Sequence, residues 1–187
     1  MEKKIKDLYE RFPNEHKDLA LFAQHLIDSL NQFKENRLKV YTSGNDKEDS
    51  LLNLAFFKSV YRSQEIIFNE LKWASEHTEQ IEARYQDYLQ IPELQAFKEA
   101  VPVSYRGLAI FVEELMACFD DLKTDTLYQV GMKVLKDDKS DFHEEKVLLE
   151  VIDEVKRDMI NELEKTKEDI KNNGKPGYIQ HYKDGVH

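Results

Sequence analysis

Apolar residues recur every three or four positions over most of this chain, which is the spacing of one face of an α-helix. Few residues interrupt the pattern, because the 187 residues include only six Gly and four Pro. Most of these ten lie at the joints between periodic stretches, where they end helices. The sequence therefore predicts an all-α fold, a bundle of five to seven mostly antiparallel helices, one of them long or kinked.

The N-terminal part predicts two helices. Residues 2–12 are expected to form a short first helix that Pro13 ends. Asn14 is then the expected N-cap of a second helix over 14–40, which ends before the polar loop 42–46. The apolar stripe of the second helix comprises Leu19, Phe22, Leu26, Leu30 and Phe33.

The third segment, 49–90, contains neither Gly nor Pro. Two successive three-residue steps join Phe68, Leu71 and Ala74, which predicts a bend or a change of partner within 73–78. Without a break this helix would be about 60 Å long, and the protein would then be elongated and dimeric. The expected buried stripe comprises Leu54, Phe57, Tyr61, Gln64, Phe68, Leu71, Ala74, Thr78, Ile81, Tyr85 and Tyr88.

Two prolines, Pro92 and Pro102, bracket a short helix in the second half of the chain. Ser104 is the expected cap of a helical segment over 104–136, with a turn near 124–125. The segment after that turn is expected to be loosened by a glycine at 131. The apolar positions expected in the core are Leu94, Phe97, Leu108, Phe111, Leu115, Phe119, Leu122, Leu127, Val130 and Val134.

The last predicted helix covers 141–172. Asp141 and Glu144 resemble a capping box at its start, and Gly174 follows its end. The length of the chain predicts a single domain over 1–174. The remaining residues, 175–187, lack a helical period and are expected to be either disordered or pinned by Tyr178, Ile179 and Tyr182.

Charge is unevenly distributed along the chain. The net charge is −10, and thirteen acidic residues with five lysines in 113–154 give that stretch a net charge of −8. Such a field disfavours phosphate binding and favours a basic protein surface or a divalent cation. We therefore expect Asp120, Asp121, Glu144 and Glu145 to contact a basic partner. A small basic cluster, Lys3, Lys4, Lys6 and Arg11, is interpreted as a solvated helix face.

The third segment also carries more aromatic residues than one stripe requires. Phe56 and Trp73 lie off the centre of the predicted stripe, and such residues either widen the buried face or contact another protein. A core position is the favoured interpretation for the group. Trp73 is the aromatic residue we expect at an interface.

A divalent-metal site is an alternative use of the acidic residues. If two helices pack antiparallel, Glu114, Asp121, Glu150 and Asp153 would converge on Mg²⁺ or Mn²⁺. The stretch Glu150-Val151-Ile152-Asp153 meets the Glu-x-x-Asp pattern of some all-helical nucleotide pyrophosphatases. Ala117 stands where the preceding Glu-Glu-x-x-Glu pattern needs its third Glu, so a solvated helix face is the favoured interpretation.

No motif of nucleophilic catalysis or phosphate cradling occurs in the sequence, and the single Cys118 lies in an apolar helical stretch as an inert thiol. The N-terminal residues lack the apolar core of a secretory signal, so the cytoplasm is the expected location. These observations favour a non-enzymatic regulator, adaptor or inhibitor without a cofactor, with nucleic-acid mimicry as one version and a second copy of the chain as another possible partner. The alternatives are a Mg²⁺- or Mn²⁺-dependent nucleotide or phosphoester hydrolase and a small-molecule sensor with a pocket between helices.

Overall fold

The computed structural model describes residues 2–41, 47–136 and 142–179. Within these ranges the chain forms seven α-helices and no strand, which confirms the predicted all-α bundle. Short 3-10 turns, Asn14–His16, Arg84–Gln86 and Val103–Tyr105, lie between some of them. The helices are α1 Glu2–Arg11, α2 Lys17–Tyr41, α3 Lys47–Glu76, α4 Thr78–Ala83, α5 Pro92–Ala100, α6 Arg106–Leu135 and α7 His143–Asn173.

The four long helices run alternately up and down. Asn31 of α2 accepts a hydrogen bond from Gln64 of α3 at 2.9 Å, whereas Phe33 packs edge-on against the earlier Phe56 at 5.2 Å between ring centroids. Since the later residue of one helix meets the earlier residue of the other, α2 and α3 are antiparallel.

The same argument orders α6 and α7. Asp120 of α6 pairs with Lys156 of α7, and Lys133, further along α6, pairs with the earlier Glu145. These two helices are therefore antiparallel as well. Long antiparallel helices with short connections are typical of helical bundles.

The buried face of α3 differs from the predicted stripe. Leu54 and Tyr61, both expected in the core, are exposed, whereas Phe56, expected off the stripe, is fully buried. Two serines explain the difference, because Ser59 and Ser63 are buried and donate to the carbonyls of Ala55 and Ser59 at 2.8 and 3.0 Å. A serine whose hydroxyl bonds the preceding turn occupies a core position without an unsatisfied polar group.

The break predicted within 73–78 is confirmed. α3 ends at Glu76, and His77 leaves helical geometry at φ −136° and ψ 38° before α4 begins. The Nδ1–H of His77 donates to the carbonyl of Trp73 at 2.8 Å and so caps the end of α3. Residues 49–90 are therefore not one continuous helix, and an elongated dimer is no longer needed to accommodate their length.

Some predicted helix starts are wrong. Pro13 and Pro102, both with φ near −55° and ψ near 150°, each precede a 3-10 turn rather than an α-helix. Neither Asn14 nor Ser104 is therefore the N-cap of a long helix. Proline fixes this extended geometry and leaves its own carbonyl to accept the first bond of the turn, from His16 at 2.9 Å and from Tyr105 at 3.0 Å. The capping box at Asp141 lies outside the described residues.

The turn predicted near 124–125 is also absent, because α6 continues through it to Leu135. Thr126 is buried and donates to the carbonyl of Leu122 at 2.7 Å, an interaction that keeps a polar residue within a helix. The residue types in this stretch favour turns, but packing of the preceding helix against its neighbours outweighs that preference.

The C-terminal end of α7 matches the prediction. Gly174 adopts the left-handed conformation at φ 73°, and its N–H donates to the carbonyl of Ile170 at 2.8 Å. The chain then folds back, and Tyr178 and Ile179 are buried. The Tyr178 ring lies 5.7 Å from that of His25, so the tail is pinned as far as Ile179. Tyr182 lies outside the described residues.

A half-buried hydrogen bond between side chains connects α2 to α7 near this tail. His25 Nε2 lies 2.8 Å from Glu162 Oε2, and Lys165 Nζ lies 2.6 Å from Glu162 Oε1. The hydrogen bond from His25, with further help from Lys165, outweighs burial and lowers the pKa of Glu162 to about 2.

Glu162→Gln should lower the free energy of unfolding by about 1–3 kcal/mol near neutral pH. Because the folded-state pKa is depressed, this stabilisation is fully present above the ordinary pKa of 4.5 and is lost as the pH falls towards 2. Urea unfolding as a function of pH should therefore show the difference between the two proteins shrinking as the pH falls from 4.5 and vanishing near pH 2. Glu164→Gln, which removes a more exposed carboxylate from the same helix, is the matched control. A pH-independent difference would contradict the assignment.

The same Gly→Ala change should have opposite effects at two positions. Gly131→Ala lies inside a helix with open space around the added methyl, and should raise the unfolding free energy by about 0.5–1 kcal/mol. Gly174→Ala forces an L side chain into the left-handed region and should lower it by about 1 kcal/mol. Urea denaturation measures both, and changes of the same sign would contradict these backbone assignments.

Candidate functional site

Helix α6 lies at the centre of the bundle for only part of its length. Its fully buried residues begin at Gly107 and end at Thr126. The helix nevertheless continues to Leu135, so its last nine residues extend beyond its last fully buried side chain. This end of α6 is held to the bundle by partly buried side chains and by the pair of Lys133 with Glu145 of α7 rather than by fully buried residues.

The extension carries large apolar side chains that face solvent. Leu127, Tyr128, Val134 and Leu135 are exposed to between 51% and 82%. Leu127 and Val134 were expected in the core, and this expectation is wrong because the core of α6 ends at Thr126. Single exposed apolar residues are ordinary, but a group on adjacent turns of one helix is a candidate interaction surface.

Six of the exposed residues of α6 are spaced alternately by four and three positions. Alternate positions carry small side chains, and around Gly131 a Cβ would meet nothing within 4 Å. This spacing is that of a coiled-coil seam, in which a second helix inserts its side chains between those of the first. We refer to this surface as the α6 outer face, which comprises Ala117, Asp121, Thr124, Tyr128, Gly131 and Leu135, flanked by Leu127 and Val134.

Helix α3 adds further apolar residues at the same end of the bundle. Cys118 of α6 lies opposite Glu70 of α3, and Asp125 lines a groove of about 240 Å³ together with the earlier Lys58. The two helices are therefore antiparallel. This register places the start of α3 beside the last turns of α6, and Leu51 and Leu54 are exposed there.

Two of the acidic residues predicted to contact a partner are paired within the molecule. Asp120 pairs with Lys156, and Glu144 lies 2.8 Å from Lys58 Nζ. Both carboxylates are largely exposed, so each pair contributes little stability but reduces the local negative field.

Glu145, the third of these acids, is also paired. Its carboxylate accepts a hydrogen bond from Lys133, which lowers the pKa of Glu145. Its side chain is only 14% exposed, against 66% for the adjacent Glu144. Glu145 therefore joins α7 to α6 instead of presenting charge to solvent.

Asp121 is the predicted contact residue that remains available. It is exposed on the α6 outer face, and neither it nor Asp125, one turn later, forms an ion pair within the described part of the chain. The residual negative charge of α6 thus lies directly before Tyr128.

The four predicted metal ligands do not converge. Glu114 pairs with Arg84, and Asp153 lies 2.6 Å from Lys123 Nζ, so these two carboxylates already have cationic partners. Asp121 and Glu150 are exposed. Among the side chains that the structure describes, no group of three or more His, Cys, Asp or Glu is arranged to hold a metal ion.

Trp73, the predicted aromatic contact, lies at the other end of α3. Its indole stacks on the His77 ring at 4.7 Å between centroids and is 36% exposed. By the register of Glu70 with Cys118, it lies about 20 Å along α6 from Tyr128. Its role as an interface residue stays a prediction, separate from the α6 outer face.

The thiol of Cys118 shows no sign of activation. Its Sγ lies 3.8 Å from a carboxylate oxygen of Glu70, and the residue is half-buried. Burial, reinforced by the negative charge of Glu70, raises the pKa of Cys118. The neutral thiol is therefore favoured, whereas a nucleophile requires the thiolate.

No protein-family model, curated protein or solved structure matches this chain. Among the helices described, none is both long enough and apolar enough to cross a membrane. A functional proposal therefore depends on the geometry of this molecule alone.

Neutralising Glu144 and neutralising Glu145 should lower the free energy of unfolding by different amounts. Glu145→Gln removes a shielded pair with Lys133 and should lower the unfolding free energy by about 1 kcal/mol. Glu144→Gln removes an exposed pair and should cost less than about 0.5 kcal/mol. Both residues occupy the first turn of α7, so both substitutions lose a similar favourable interaction with the helix dipole. Equal effects in thermal or urea unfolding would contradict this account of the acidic stretch.

Proposed function

We propose that this chain is a non-enzymatic protein-binding module whose contact surface is the α6 outer face with Leu127 and Val134. The observation that carries the proposal is the extension of α6 beyond the core with large apolar side chains uncovered. Covering such side chains contributes about 1.5–3 kcal/mol each, which makes a partner the natural complement of this surface.

The spacing of the surface favours a helix as the contacting element. Tyr128 and Leu135 are seven residues apart and provide two anchors, and Gly131 between them leaves room for a side chain of the partner. Tyrosine is enriched among residues that dominate binding energy, because it buries a large area at a low entropic cost. An amphipathic helix that lies along α6 would use all these positions.

The negative charge at one end of the α6 outer face indicates which charged residues the partner helix carries. Asp121 and Asp125 precede the apolar anchors and have no described cationic partner, so a partner with Lys or Arg at the corresponding end is favoured. Of the acidic contact residues predicted from the sequence, only Asp121 belongs to this pair, and Asp125 was not predicted. Internal pairing of Asp120, Glu144 and Glu145 argues against nucleic-acid mimicry, which requires carboxylates free to face a basic channel.

The proposal predicts which variants lose a partner. The tagged full-length chain would capture proteins from native-host lysate, and the retained protein would then be purified for titration. Tyr128→Glu with Leu135→Glu should weaken binding by about 100-fold or more. Asp121→Asn with Asp125→Asn should weaken it by about tenfold at low salt and less at high salt. A photo-crosslinker at Leu135 should react with an amphipathic, positively charged segment of the partner.

Tyr88→Glu is the matched control, because Tyr88 is a similarly exposed aromatic residue outside α6. This variant should bind like the wild type. If the Tyr128→Glu, Leu135→Glu protein retains the partner, the α6 outer face is not the contact surface. The wild type could also sediment as a dimer that these substitutions dissociate. That result would show that the surface binds a second copy of the chain, and it would contradict the proposal of a different partner protein.

A further inference from the structure

A second surface feature lies between α1 and α3 and shares no residue with the α6 outer face. It is a groove of about 320 Å³. We refer to it as the α1–α3 groove, which is lined by Lys4, Asp7, Leu8, Arg11, Phe68 and Lys72.

The helical spacing of both elements explains this composition. Ile5, Leu8 and Phe12 anchor α1 on the core, and Lys4 and Arg11 lie one turn to either side of Leu8. On α3, Phe68 and Lys72 are four residues apart and so share a face. Docking of α1 therefore brings cations from two helices to the edge of one apolar floor.

These cations lack the carboxylate partners that lysines have along the contact between α6 and α7. Lysines along the α6–α7 seam, such as Lys123 and Lys156, are paired with acids. Lys4, Arg11 and Lys72 form no ion pair within the described residues, although Asp7 lines the same groove. The Lys4 ammonium instead lies 5.6 Å from the centroid of the Phe68 ring. Three converging cations with one carboxylate give a local positive field in a chain whose net charge is −10.

We propose that the α1–α3 groove binds a small phosphomonoester with an aromatic or apolar body. Ammonium and guanidinium groups on two sides supply charge-assisted hydrogen bonds to phosphate oxygens. The partly buried Phe68 supplies the apolar surface for the rest of the molecule, and an aromatic ring is the body that such a face accepts best. The volume lies at the lower end of the range of small-molecule sites, about 300–1,000 Å³.

The direct test is calorimetric titration of the full chain with AMP and, separately, with inorganic phosphate. AMP should bind saturably with a dissociation constant below about 1 mM, and inorganic phosphate should bind about tenfold more weakly because it lacks the ring. Lys4→Gln with Lys72→Gln should raise the dissociation constant for AMP by about tenfold or more. Phe68→Leu should weaken AMP binding and leave phosphate binding unchanged.

Lys146→Gln with Lys171→Gln is the matched control, because it removes the same charge from exposed lysines outside the groove. This control should bind AMP like the wild type. An equal loss of affinity in the control would overturn the proposal in favour of non-specific attraction. Equal affinity for AMP and phosphate would contradict the claim that the groove binds an aromatic body. If AMP does not saturate the protein by about 10 mM, the groove is not a phosphomonoester site. Binding of the wild type to vesicles rich in anionic phospholipid, without AMP binding, would assign the groove to a membrane surface instead.

Discussion

Burial of one face of α6 between α3 and α7 is the interaction on which the rest of the structure depends. From Gly107 to Thr126 this face is shielded from water and includes the fully buried rings of Phe111 and Phe119. Residues 107–112 are buried around the whole circumference of the helix, and from Glu113 onwards burial narrows to a stripe, which leaves the opposite face of this later part of α6 to solvent. The ion pairs between α6 and α7 follow from the same contact, since they lie along its edges.

Periodicity was sufficient to predict most of the helices and the break between α3 and α4. It did not determine which face of α3 is buried, because Ser59 and Ser63 satisfy their hydroxyls within the helix and occupy core positions. It also placed a turn near 124–125, where local residue preference and tertiary packing disagree. The pairing of Asp120, Glu144 and Glu145 with lysines was beyond sequence reasoning, since it depends on the register between helices that are distant in the chain.

The candidate site was only partly predictable for the same reason. Asp121 was identified from the acidic stretch and lies on the α6 outer face, but Tyr128 and Leu135 were not identified. Their spacing from Asp121 is visible in the sequence as a run of four- and three-residue steps. The competing stripe through Leu127, Val130 and Val134 has equally good periodicity, and only the position of the core distinguishes the two.

The molecule presents two surfaces of different character, an apolar helix face with an acidic end and a groove of unpaired cations.

Native-state amide hydrogen exchange across α6, first in the free chain and then with a bound partner, measures whether the end of this helix is uncovered. Residues 108–126 of the free chain should exchange only through global unfolding, whereas 127–135 should exchange through local opening at a much lower free energy. A partner on the α6 outer face should then slow exchange in 127–135 selectively. Protection of 127–135 in the free chain at the level of 108–126 would contradict the account, because it would mean that this end of α6 is already covered.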